Sequence, residues 1–140
     1  MGDIRLNKEP EKYEWKDEID PRTCWVCGYD FTRFNWGDYR IREIHHIERR
    51  GHATGKKEDG TPRYDEKCNF FSACRPCHQD KLDSVGTMSH ALQLGIKMRH
   101  DPKYFDLEQW LRLRDQSLKS TTRVTLKEIE DALDWWENQN

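Results

Sequence analysis

The sequence predicts a small α+β fold on three observations: a strand-like segment in the first half, two Cys-x-x-Cys pairs that bracket it, and a last third with helical periodicity. A chain of 140 residues has room for one ordinary domain core and not for two independent ones. That core has to be small, because only 34% of the residues are hydrophobic and 36% are charged. The mean hydropathy of -1.13 agrees. Cores of this kind usually need reinforcement, and metal ligation is a standard way to supply it. Six tryptophans argue against disorder, since disordered chains are poor in aromatic residues.

Residues 1–20 read as a polar N-terminal arm, with seven acidic side chains against four basic ones. Pro21 opens a cysteine-rich core segment expected to span 21–86. Within it, Tyr39 to Ile47 alternates polar and apolar residues, with Tyr39 out of phase, which is a strand signal. Residues 49–62 are rich in Gly, Lys and Thr, lack apolar periodicity and read as a long loop. Asn69-Phe70-Phe71 is a candidate second strand, and the stretch from Pro76 onward suits a helix. Proline is tolerated in a helix's first turn, where its missing N–H costs nothing.

Residues 87–140 read as a helical extension packing on that core. Met88, Leu92 and Ile96 recur at four-residue spacing. Asp106 with Gln109 and Thr125 with Glu128 are capping boxes. Leu107, Trp110 and Leu111 follow the first, and Ile129, Leu133 and Trp136 the second. All of these apolar residues are expected to serve packing.

No apolar run approaches the roughly 20 residues that span a bilayer, and residues 1–20 lack the apolar stretch of a signal peptide. The expected compartment is a reducing cytoplasm, with no membrane partner. Five cysteines, an odd count, fit poorly with a disulfide framework and better with metal ligation or free thiols. The net charge of -2 gives no overall attraction to nucleic acid. Locally the balance reverses, with seven basic against five acidic side chains over 38–64.

Cys24-Trp25-Val26-Cys27 and Cys74-Arg75-Pro76-Cys77 each place two thiolates on a tight turn, and two such knuckles complete a tetrahedral S4 shell. A structural Zn2+ is therefore expected on Cys24, Cys27, Cys74 and Cys77. Such a site is closed and does no chemistry itself. Cys68, left over, is expected to behave as a small buried hydrophobe.

Between and beside the knuckles stand Glu43-Ile44-His45-His46-Ile47, then Asn69, then His78-Gln79-Asp80-Lys81 directly after Cys77. In that order, with the four cysteines, they resemble the HNH endonuclease family, in its zinc-stapled branch of bacteriophages and mobile elements. The resemblance covers residues 24–82. It implies a ββα-metal core: two antiparallel strands, a loop, and a helix carrying the last histidine. His45 and His78 then match the ligands of a catalytic divalent ion, Mg2+ or Mn2+, with Ni2+ or Zn2+ as alternatives. His46 matches the general base, and Asn69 the residue that pins the connecting loop and so orients that base. Glu43 stands where colicin-type toxins carry a Glu and is counted with the catalytic group.

The chemistry is coherent. A neutral imidazole, with an ordinary pKa of about 6.5, is a serviceable base at neutral pH. An ion held by only two imidazoles keeps positions open for phosphate oxygens and water. Two departures from the family pattern stand out. Leu82 occupies the place of a further histidine, and the loop Glu48 to Lys67 is long and lacks the proline often found just after the paired histidines. That loop is expected to contact DNA phosphates through Arg42, Arg49, Arg50, Lys56 and Lys57.

The resemblance thus implies a metal-dependent DNA endonuclease that hydrolyses phosphodiester bonds by nicking or with low specificity. It would act as a monomer or weak dimer, in a bacterial host cytoplasm if phage-encoded. The alternatives are a non-catalytic zinc module that binds DNA or protein, and an accessory nuclease working beside phage packaging proteins.

Overall fold

The computed structural model describes residues 22–32, 40–49, 53, 55–82, 88–113 and 123–139; the expected N-terminal arm, Tyr39 and Arg50 lie outside them. Along the chain run β1 (Arg42–His46), 3-10 turns at Arg63–Asp65 and Lys67–Asn69, and β2 (Phe70–Cys74). A short helix α1 (Arg75–Cys77) widens into a π-turn over His78–Leu82, and α2 (His90–His100), α3 (Leu107–Leu113) and α4 (Leu126–Gln139) follow. Among the described residues the fold is α+β, with one two-stranded sheet and four helices. Its strands are antiparallel: Ile47 N–H donates to Asn69 O at one end, and Arg75 N–H to Ile41 O at the other.

The chain divides into two compact units, Met1–His45 with Phe71–Thr87 and His46–Phe70 with Met88–Asn140. The division falls within both strands and groups the loop segment with the helices. The expected boundary between residues 86 and 87 lies outside the described residues.

In the first unit, the Cys24–Cys27 knuckle closes by Gly28 N–H donating to Cys24 O (2.8 Å) and Cys24 N–H to Tyr29 O (2.9 Å). Gly28 adopts φ 81°, a conformation in which side chains are strained. β2 is buried along its whole length. Trp25 packs edge-on against Phe71, with ring centroids 5.0 Å apart. Ser72 ties three segments together: its carbonyl accepts from Trp25 N–H, and its hydroxyl donates to Thr23 O and accepts from Arg42 Nε.

That last contact corrects one expectation. Arg42 is buried and spends its guanidinium on Ser72, so it is not a surface contact for DNA. The strand is also shorter than the polar–apolar alternation implies, and its buried positions are Arg42 and His45 rather than Ile44.

In the second unit, the described loop residues 55–69 carry defined turns where their composition implies none. Lys57 and Thr61 close a turn around Gly60 (φ 87°), Asp59 accepts from the Thr61 hydroxyl and N–H, and the two 3-10 turns follow. One capping box forms in full, Thr125 and Glu128 bonding each other's backbone N–H reciprocally; in the other, Asp106 Oδ1 accepts from Gln109 N–H while the Gln109 side chain donates to Glu66. Ser89 caps α2 by accepting from Leu92 N–H. α2 meets α4 at Gly95, where an added Cβ would lie 3.0 Å from Ile129 O and from Leu133 Cβ.

Lys97, one residue beyond the apolar stripe of α2, is fully buried. Its ammonium donates to Phe70 O (2.8 Å) and to Asp101 Oδ2 (2.7 Å), tying the helix to the first residue of β2. Burial pulls this lysine below its usual pKa, and the adjacent Asp101 carboxylate opposes the shift. Removing one partner of a buried pair strands the other charge. Lys97→Ala is therefore expected to cost about 3–5 kcal/mol in urea unfolding, and Lys97→Met combined with Asp101→Leu to recover most of that loss.

Candidate functional site

The sulfurs of Cys24, Cys27, Cys74 and Cys77 lie within 4.8 Å of one another. A tetrahedral shell with Zn–S bonds of about 2.3 Å has sulfur–sulfur edges of about 3.8 Å. Cys27 Sγ and Cys74 Sγ, 47 positions apart in sequence, stand 3.8 Å apart. The knuckle also donates Cys27 N–H to Cys24 Sγ at 3.4 Å. The donor set and its spacing thus suit a structural metal such as zinc.

The thiols are tuned unequally. Burial opposes ionisation of Cys27, but a backbone hydrogen bond at Tyr29 and bonds to Cys24, Cys74 and Cys77 bring its pKa below the ordinary value. Burial first, then the neighbouring sulfurs, push Cys74 up to about 11 and raise Cys77 as well. Four thiolates this close need a cation to balance them. Cys68 is buried apart from this group, and its thiol is pushed up to about 12, chiefly by that burial.

The second knuckle also positions the histidine that follows it. Arg75, between the two cysteines, donates Nε–H to Glu43 Oε2 (3.0 Å), and His78 Nδ1 bonds the other oxygen of the same carboxylate (2.8 Å). With Nδ1 so engaged, the lone pair of neutral His78 lies on Nε2. The His45 ring stands 4.9 Å from the His78 ring, at 66°, and packs edge-on against Phe71. With metal–nitrogen bonds of about 2.1 Å, two imidazoles sharing one ion at about 100° have centroids about 5 Å apart. The spacing of the two rings is one that two imidazoles on a common ion could adopt, and Glu43 orients the His78 ring.

His46 meets different partners, as neighbours along a strand do. Its Nε2 bonds Asp65 Oδ1 at 2.9 Å, and its ring lies edge-on to Tyr64 (5.3 Å) and Phe70 (5.2 Å). Asn69 is fully buried, and its amide is saturated. Nδ2 donates to Glu48 O (3.1 Å) and Tyr64 O (2.9 Å), while Oδ1 accepts from Glu48 N–H (2.6 Å) and Trp110 Nε1–H (3.0 Å). Exchanging oxygen and nitrogen would set an acceptor against two carbonyls, so these partners dictate the amide's orientation. Asn69 thus holds the chain two residues after His46 and one residue before Asp65.

Asp65 and Trp110 escaped the sequence reading. Asp65 belongs to no motif. Trp110 was placed as packing, which it is, but a buried indole N–H usually needs an acceptor, and that need was a usable signal. Of the basic residues expected at DNA, Arg49 and Lys56 are exposed, Lys57 pairs with Glu66 at 3.0 Å, and Arg50 lies outside the described residues.

No family model, curated protein or solved structure matches the chain. The reading of the site therefore rests on its geometry and chemistry.

Two outcomes are expected. Purified protein should carry one zinc per chain, and Cys74→Ser should lose both the zinc and its cooperative unfolding transition, since structural zinc contributes about 10 kcal/mol or more in small modules. A stable, zinc-free Cys74→Ser protein would contradict the clamp. Trp110→Phe, which keeps the ring and deletes the donor, should cost about 1 kcal/mol in denaturant unfolding, and Asn69→Ala, which orphans several buried groups, at least about 3.

Proposed function

We propose that the chain is a metal-dependent DNA endonuclease of the HNH type, hydrolysing phosphodiester bonds by nicking or with low specificity. The observation that carries this reading is the facing pair His45 and His78, with Glu43 orienting the second ring. Edge-on packing accounts for the spacing of the two rings, but not for the carboxylate behind one of them, which is the arrangement that orients a metal-ligating imidazole.

His45 and His78 would hold a divalent ion, Mg2+ or Mn2+, with Ni2+ or Zn2+ as alternatives. When bound, that ion would offset charge on the phosphate and on the leaving oxygen. His46, the next residue in the chain, acts as the base. It takes a proton from water, and the water oxygen bonds to phosphorus. The bond to the leaving sugar oxygen breaks, and that oxygen is protonated by a second water. His46 then returns its proton to solvent. Exposed Arg49 and Lys56 supply phosphate contacts, which hold DNA without reading its sequence.

The test is nicking of supercoiled plasmid with added Mg2+ or Mn2+. Wild type should convert the plasmid to open circles. His46→Ala should lose at least about 100-fold in rate while keeping duplex binding. His78→Ala should lose cutting and affinity for the added metal together. Inactivity of the wild type across these metals would support a non-catalytic zinc module instead, and equal activity of wild type and His46→Ala would show that His46 is not the base. Weak cutting that rises sharply with packaging proteins would mark an accessory nuclease.

A further inference from the structure

We propose that Asp65 is the positioning residue for the base: it holds His46 as the Nε2–H tautomer, so that Nδ1 takes the proton of the attacking water. The inference deepens the nuclease reading and rests on it, but the tautomer itself can be observed without activity.

The geometry leaves the imidazole little choice. Asp65 Oδ1 lies 2.9 Å from His46 Nε2, with both side chains partly buried. A carboxylate only accepts, so a neutral imidazole must present an N–H to it, and the lone pair then lies on the other nitrogen. The ring also packs edge-on against the aromatics Tyr64 and Phe70, which restrict its rotation.

The carboxylate's own position comes from the backbone. Asp65 ends the 3-10 turn Arg63–Asp65, with its N–H donated to Pro62 O at 3.1 Å. The carbonyl one residue earlier, Tyr64 O, is held by Asn69 Nδ2. The same asparagine amide holds both backbone groups of Glu48, two residues after the histidine. Asn69 thus sets the carboxylate against the imidazole from both directions, and Trp110 sets Asn69. The family resemblance assigns orientation of the base to the asparagine. In this chain that influence reaches the imidazole through Asp65.

The chemistry benefits twice. Before the reaction, the carboxylate selects the nitrogen that carries the lone pair. As a proton moves from water to Nδ1, the bond between Nε2–H and Asp65 becomes charge-assisted and stabilises the imidazolium that forms. The water oxygen bonds to phosphorus as described above, and Asp65 itself takes up no proton.

The test uses zinc-loaded full-length protein labelled with 15N-histidine. Long-range 1H–15N spectra of wild type should show His46 protonated at Nε2 and bare at Nδ1, the signal being assigned by its loss in His46→Gln. Asn can donate as readily as it accepts, so Asp65→Asn should release the lock and move population to the Nδ1–H tautomer. Its single-turnover cleavage of a short duplex should fall at least roughly 100-fold, the penalty of a wrong tautomer in such dyads being larger still. Zinc content and duplex affinity should not change, and Asp65→Glu should recover part of the rate.

A wild-type His46 found as the Nδ1–H tautomer would overturn the inference. So would wild-type cutting by Asp65→Asn alongside an inactive His46→Ala. If His46→Ala cuts normally, the assignment of His46 as the base falls, whereas the spectra still decide whether Asp65 sets the tautomer.

Discussion

Much of the first unit hangs on four sulfur atoms. Cys27 and Cys74 stand 47 positions apart in sequence and 3.8 Å apart in space, the edge length of a zinc–sulfur tetrahedron. A chain with so few apolar residues has little else with which to close a loop of that length, and a bound ion converts its binding free energy into folding free energy. The consequences reach beyond the knuckles. Arg75 lies between two of these cysteines and His78 follows the last, so the knuckle that could hold a metal also delivers a guanidinium and an imidazole to Glu43.

The second unit has its own organising group, the buried amide of Asn69. It acts as a piece of backbone would, donating twice and accepting twice, and it joins residues 48, 64 and 110. An apolar side chain in that place would leave each of those groups to find another partner in a dry interior, at a cost of about 1–3 kcal/mol apiece. The buried pair of Lys97 and Asp101 applies the same logic at a helix terminus, holding the carbonyl of Phe70. In each place a polar group is admitted to the core because it is fully satisfied there.

Local features were legible because their causes are local. Helix caps are one-turn hydrogen-bond patterns: the Thr125–Glu128 box forms in full, and Asp106 caps Gln109 N–H as its half of the other. The α+β class and the four-cysteine cluster followed from short-range spacing and from thiol chemistry. Other features were illegible for the converse reason. Nothing within a few residues of Arg42 foretells that it will be buried against Ser72, and although Asp101 is the i,i+4 partner of Lys97, nothing local foretells that Phe70 O joins them in a dry place.

By itself, then, the sequence determined the four-cysteine cluster, by donor type and spacing, and marked the histidines, Glu43 and Asn69 as candidates. Only the tertiary structure decided what each of them faces. Glu43 became the carboxylate behind His78, and Asp65, which no motif marks, became the carboxylate behind His46. The physical reason is that hydrogen-bond partners of a buried side chain are chosen by chain segments far apart in sequence. Their meeting is settled by packing and by the strong tendency of buried polar groups to find partners.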